Sequence, residues 1–180
     1  MLKKLKLIKQ DFDSRVKFYN WLYYLVRNMP GKIGFKAREW FVKRQARSCG
    51  ENLVVWPEVK IRNIDNLELG QSITIGERAM IQAAGEVTIG DYTIIGPCAK
   101  IWSANHTYKD FSIPISEQGY YHKKVVIGKD VWLGANAIIL PGAILGDKVV
   151  VSAGAVVGAK QYPEGAILLG NPARKVSQRE

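Results

Sequence analysis

Two residues in this chain can offer an imidazole, His106 and His122, and both fall in one stretch from Trp102 to Lys124, WSANHTYKDFSIPISEQGYYHKK. A neutral imidazole takes a proton from a hydroxyl near pH 7, so either could act as a general base. His106 follows directly on an aliphatic, strand-like segment, which would hold it on a rigid wall where a loop opens a cleft. A base needs an orienting group on its other ring nitrogen, and Asp110, four residues on, is the candidate. Asp110 suits the cap of a loop turn equally well. His122 lies where the stretch ends, before Lys123-Lys124, and reads as a bystander. Cys98, in IIGPCAKI, has no base beside it and is expected to be a buried or lining thiol rather than a nucleophile. Cys98 and Cys49 form no metal or redox spacing, and no metal ligand set is expected.

The elements that must position His106 show in a period of six. From Val125 to Gly158, Ile127, Leu133, Ile139, Leu145, Val151 and Val157 recur six residues apart, and a smaller apolar residue stands two places before each, from Val125 to Ala155. A separation of two puts both side chains on one face of a short extended segment. The intervening Gly, Asp, Asn and Lys suit a corner. Segments that bury one face and turn every six residues stack into a solenoid. A less regular block precedes it from about Val55, with Leu67, Ile73, Ala79, Val87, Thr93 and Ala99 at the smaller inward positions and register shifts near Leu69 and Ile89. Those shifts should surface as local departures at corners. The repeat stops between Trp102 and Lys124, so residues 103–124 must leave the coil as an excursion.

The hexads, the "NH" at Asn105-His106, VWLGAN around Trp132 and the tail GNPARKV together resemble the hexapeptide-repeat acyltransferases, and within them the sugar O-acetyltransferases of the maltose and galactoside acetyltransferase-like group. The resemblance covers roughly residues 50–176. It implies an all-β solenoid, a left-handed parallel β-helix of triangular section, with an N-terminal helical extension and a loop excursion. It also implies a coenzyme A-dependent O-acetyltransferase that moves acetyl from acetyl-CoA to a sugar hydroxyl by direct attack, with no metal required. On the resemblance, His106 is the general base, Asp110 its orienter and Asn105 part of the substrate site. Backbone amides at Gly134-Ala135 and Ala153-Gly154 would serve the thioester and the pantetheine arm, Trp132 would line the groove, and Arg174 and Lys175 would approach the phosphates. Many relatives carry Thr-Lys after the last coil; here the chain reads Gly158-Ala159-Lys160, and Lys160 would substitute. Gln82, in GERAMIQ, stands where sugar-acetylating relatives carry an acceptor-binding Asn; its alternative is a solvent-facing corner.

Three spans follow: residues 1–50, a basic, aromatic helical region; 51–162, the β-helix with its excursion 103–124; and 163–180, a tail. Residues 1–50 hold thirteen Lys and Arg against three acidic residues, so the whole net charge of +10 lies ahead of the repeat. Helices are expected over Ser14–Asn28, with Phe18, Trp21, Leu22, Leu25 and Val26 at helical spacing, and over Lys36–Ser48. They would cap the open end of the solenoid, and their Trp, Tyr and Lys/Arg would also suit anionic lipid. No secretory signal is visible at the start, and the expected location is cytoplasmic, with peripheral contact at the inner face of the plasma membrane. The expected partners are two further copies in a homotrimer and a saccharide acceptor, in bacterial surface polysaccharide or precursor synthesis, and not nucleic acid.

Within the same fold, N-acetylation of a nucleotide-linked amino sugar and acetylation of an antibiotic hydroxyl stay open. A catalytically silent solenoid scaffold has no use for His106 and Arg174 in motif positions. A carbonic anhydrase on this fold needs three histidines on zinc, and the chain has two in all.

Overall fold

The computed structural model describes residues 15–179, with side chains from Trp21 onward, so Phe18 lies outside the described side chains. The repeat folds as a parallel β-solenoid of about six coils with three walls. Wall A runs from Ser48–Cys49 to Gln161–Tyr162, wall B from Val54–Val55 to Ala166–Leu169, and wall C from Lys60–Arg62 to Val156–Val157. The solenoid is thus wider at both ends than the 51–162 expected from sequence. Its last rung is capped by Arg174–Gln178, which folds back antiparallel on Ala166–Leu169 and covers what would be an open edge of wall B.

Neighbouring strands lie about 4.8 Å apart, so each inward side chain rests on its counterpart one coil away. In wall B, Val55, Ile75, Ile95, Leu133, Val151 and Leu168 form such a column, all essentially solvent-free. The smaller inward residues expected from sequence are buried too, including Thr93. Its hydroxyl is satisfied: it donates to Gly128 O at 3.1 Å and accepts from Val131 N at 3.4 Å. The hexad pattern is therefore the core of the molecule.

The register shifts have one location. Between wall C and wall A, the first two coils carry two extra residues, absorbed by the 3-10 turn Ile64–Asn66 and by the corner at Ala83–Glu86. The excursion leaves from this same C–A edge. The hexad needs a left-handed residue at most corners, and Asn52, Ser72, Asp130 and Lys148 supply it along the A–B edge, with φ between 52° and 59°.

Two helices close the first coil: α1, Arg15–Val26, and α2, Gly31–Gln45. Helix α2 begins five residues before the Lys36 expected from sequence, because Pro30, beyond the end of α1, is the N-cap of α2. It ends at Gln45, and Ser48–Cys49 is already a strand of wall A paired with Glu68 and Leu69. Phe41, Val42 and Tyr23 seal the open end, with the Tyr23 and Phe41 rings 4.7 Å apart. Arg38 is wholly buried at this junction. Its Nε donates to Val55 O at 2.8 Å and its Nη1 to Met29 O at 2.8 Å, with longer contacts to Val26 O and Arg27 O. A single guanidinium therefore ties the carbonyl end of α1 to the solenoid. Burial pushes the Tyr23 phenol above its ordinary pKa, so it stays protonated and donates to Val59 O at 3.1 Å. The capping expected of these helices is what they do.

Candidate active site

The excursion departs from wall C through a clamp. Ser103 is buried; its N and Oγ both donate to Gln82 O, at 3.0 and 2.8 Å, while its Oγ accepts from Gly85 N at 2.8 Å. Lys123 N donates to Ser103 O at 2.9 Å and closes the loop where it returns. Gly85 permits this: a Cβ there would come within 2.2 Å of Ser103 O and 2.8 Å of Lys123 N, so any side chain would push the ribbon off the coil.

Beyond the clamp, Ala104–His106 pairs antiparallel with Tyr120–His122, Ala104 opposite His122 and His106 opposite Tyr120. Residues opposite one another share a face, so His106, Tyr120 and His122 project together, while Asn105 and Tyr121 project from the other side. The His106 and Tyr120 rings lie 4.2 Å apart, tilted by 38°. His106 is exposed, and no carboxylate bonds its ring among the described residues. Asn105 turns inward on the backbone, its Oδ1 accepting from His106 N at 2.9 Å. A cleft of about 470 Å³ opens along the ribbon between Thr107, Tyr108, Lys109 and Tyr121, His122, Lys123.

Asp110 does not orient the imidazole. Its Oδ1 accepts from Ser112 N at 2.8 Å and from Ser112 Oγ at 2.6 Å, and these bonds hold its carboxyl below the usual carboxylate range. Gln118 completes the turn: its Oε1 accepts from Asp110 N at 3.0 Å, and its Nε2 donates to Asp110 O at 2.6 Å and Ile113 O at 3.1 Å. The turn-cap alternative holds, for a local reason: a carboxylate two residues from a Ser closes an Asx turn before it can reach a strand. Tyr120 is the neighbour of His106 that the sequence did not disclose, because the register of a hairpin closed by thirteen residues cannot be read from its two ends.

The other expected site residues fall on a different edge. Gly134-Ala135 and Ala153-Gly154 form successive B–C corners, and Gly134 lies directly against the next coil, where a Cβ would meet Ala153 N at 2.5 Å. Trp132 projects from wall B, 54% exposed, between Ile94 and Val150. Arg174 begins the last strand opposite Leu169, at the same edge, and its side chain makes no hydrogen bond or ion pair among the described residues. Lys175 pairs with Gln178. Lys160, by contrast, sits on the C–A edge, exposed. Gln82 lies on the outer face of wall C, one rung below Trp102, and its side-chain Oε1 is buried without a partner among the described residues. Within one chain, then, His106, Asn105, Gln82 and Lys160 gather toward one edge, and Trp132, Gly134, Ala135, Ala153, Gly154 and Arg174 toward the next. Wall C lies between them, and the six residues from Ala135 to Leu140 that cross it span about 15 Å.

Comparison with known proteins adds to this geometry. Residues 124–159 match the family described as hexapeptide repeat of succinyl-transferase. The chain is 36% identical over 146 residues to nodulation protein L of Rhizobium meliloti, covering 79% of this chain and 77% of that one. It is 28% identical over 161 residues to the putative colanic acid biosynthesis acetyltransferase WcaF of Escherichia coli, covering 89% of this chain and 76% of the relative. Among solved structures, a galactoside acetyltransferase in complex with coenzyme A superposes with a TM-score of 0.80 at 27% identity, over 89% of this chain and 78% of its own.

Proposed function

The chain belongs to the hexapeptide-repeat acyltransferases, acetyl-CoA-dependent enzymes on a left-handed β-helix, and from that premise we propose that it acetylates a hydroxyl of a saccharide, in surface polysaccharide or precursor synthesis, with His106 as the general base. The observation that carries this reading is the exposed imidazole held at the base of the excursion by the Ser103 clamp, in the motif position of the family. In the reaction, His106 removes the proton of the acceptor hydroxyl as its oxygen attacks the thioester carbonyl. The tetrahedral oxyanion is met by backbone amides of the B–C corners. Its collapse breaks the C–S bond, and the departing thiolate takes the proton from the imidazolium. Tyr120, stacked near the ring, restricts its orientation, the part expected of Asp110.

The separation of the two edges supports a trimer. Thioester and imidazole meet when the B–C edge of one copy faces the C–A edge of the next, and closed cyclic packing supplies that contact three times. Arg174, unpaired and at the donor edge, then reaches the phosphates. Arg174→Ala is expected to raise the dissociation constant for coenzyme A about tenfold, the loss of one charge-assisted bond, with the fold intact. Calorimetric titration of coenzyme A checks it. A folded wild-type protein that binds no coenzyme A at millimolar concentration would sink the transferase reading.

The helices also leave an outer face. Tyr24, Leu25, Ile33 and Trp40 are exposed, interleaved with Lys32, Lys36 and Arg44. No helix among the described residues is long and apolar enough to cross a membrane. Aromatic and cationic groups on one surface suit peripheral contact with anionic lipid, with the solenoid standing away from it. Phosphatidylglycerol vesicles are expected to carry the protein down on sedimentation at low salt, and Ile33→Glu with Trp40→Glu to leave it in the supernatant; equal sedimentation of both proteins would refute lipid contact through this face.

A further inference from the structure

A second cavity, of about 270 Å³, opens where α1 meets the first coil, between Tyr24 and Arg27 on the helix side and Lys60, Arg62 and Asn63 on wall C. Three cations converge on it. Arg27 lies against the Tyr24 ring, 4.9 Å from its centroid, and its Nε is buried with no acceptor among the described residues. Lys60 and Arg62 are two apart on one strand, so both project outward, and neither forms an ion pair among the described residues. An acid nearby, Glu58, is bonded by Arg78 through Nε and Nη2 at 3.1 and 3.3 Å; Arg78 above all, with Arg27 and Lys60, holds its carboxyl below the usual carboxylate range. A buried N–H without a partner carries the full cost of its lost hydration, so it is expected to meet an acceptor in the working state.

The place of this cavity on the solenoid matters as much as its charge. Arg62 pairs with Gln82 and Gln82 with Trp102, one column on the outer face of wall C. That column ends at the Ser103 clamp, where the excursion carrying His106 begins. Arg62 therefore stands two strand spacings, about 10 Å, below the base of the candidate active site. Between them lies Gln82, whose Oε1 is buried without a partner among the described residues. A convergent triad of cations favours a multiply charged anion, and guanidinium with ammonium is the usual partner set of phosphate.

Building on the acetyltransferase reading, we infer that this cavity binds the phosphate or pyrophosphate of the acceptor, which makes the substrate a phosphorylated saccharide, with its sugar ring lying across Gln82 and its hydroxyl reaching His106. The phosphoryl group takes no part in the chemistry. It holds the acceptor in register, so that the hydroxyl presented to the imidazole is set by its distance from the phosphate. The same cation set would also accept the phosphate of a lipid headgroup, and the two sources separate by experiment.

The test uses the full chain saturated with coenzyme A, so that the donor phosphates already fill their own site. Inorganic pyrophosphate is then titrated by calorimetry into wild type, the double variant Lys60→Gln, Arg62→Gln, and Arg27→Gln. Lys60 and Arg62 are exposed, so their replacement leaves the core untouched. Binding by wild type that weakens at least about tenfold in the double variant, with coenzyme A affinity unchanged, is the expected result. Phosphatidylglycerol vesicles supply the second arm: unchanged vesicle binding in the double variant assigns the site to a saccharide phosphate, and vesicle binding lost together with pyrophosphate binding assigns it to a headgroup and overturns the acceptor proposal. Equal pyrophosphate affinity in wild type and double variant, or no pyrophosphate binding once coenzyme A is bound, overturns it as well. Failure to bind coenzyme A at all is a separate outcome and strikes the transferase reading itself.

Discussion

His106→Ala is expected to lower kcat by about 10²- to 10⁴-fold, the usual worth of a positioned general base, while coenzyme A binds as to wild type. The substitution removes an exposed ring whose one contact among the described residues is the Tyr120 ring, so the ribbon and its clamp persist. Stopped-turnover thiol release with a saccharide acceptor gives the rate, and calorimetry gives the donor affinity. A loss below tenfold would remove His106 from the base role and turn attention to His122 on the same face. Mixed trimers sharpen the result. Arg174→Ala fails at the donor edge and His106→Ala at the acceptor edge. If each site is shared between neighbours, co-refolding the two variants should restore some sites with both residues intact. Restored turnover above the mean of the two parents supports shared sites; activity that only averages them places each site within one chain.

Arg38→Leu is expected to destabilise the helical cap by about 3 kcal/mol. The guanidinium leaves behind Val55 O, buried, and Met29 O, partly buried, and an unsatisfied buried acceptor costs roughly 1–3 kcal/mol. For a chain of this size the transition of the affected unit should fall by about 10 °C. Because the coils above pair only with their neighbours, the loss is local: limited proteolysis should cut within residues 27–50 while coenzyme A affinity, seated several coils away, is kept. Uniform loss of both would show instead that cap and solenoid unfold as one body.

The period of six made the walls legible because each hexad repeats one physical demand, an aliphatic residue over an aliphatic residue, and even the out-of-type Thr93 obeyed it. The Leu69 and Ile89 shifts were legible as shifts but not as a single edge, since only the stacked coils reveal that Ile64–Asn66, Ala83–Glu86 and the excursion occupy one corner. His106 was visible from type and place. Its surroundings were not: Tyr120 reaches it through a hairpin register, and Asp110 was claimed by Ser112, a contact two residues away that the D-F-S spelling does contain. The β-helix was cut short at residue 162 because the inward residues Val157 and Tyr162 lie five apart instead of six, after which Ala166 and Leu168 resume the hexad. Nor could a linear period say that His106 and Gln82 stand along one edge of the prism while Gly134, Ala135 and Arg174 stand along another.

The excursion interrupts a ladder in which Leu67 pairs with Val87, twenty residues on, yet the next rung pairs Val87 with Val125, thirty-eight on. Closing a loop nearly twice as long adds only about 0.6 kcal/mol of chain entropy, and the coils on either side meet as though nothing lay between them. Lengthening or rewriting residues 107–119 therefore costs the fold almost nothing, while the cleft wall formed by Thr107, Tyr108 and Lys109 changes with it. Selection can vary what the enzyme modifies at this one corner and leave the donor edge alone: a built-in division between inheritance and diversification, placed where the polymer physics charges least for it.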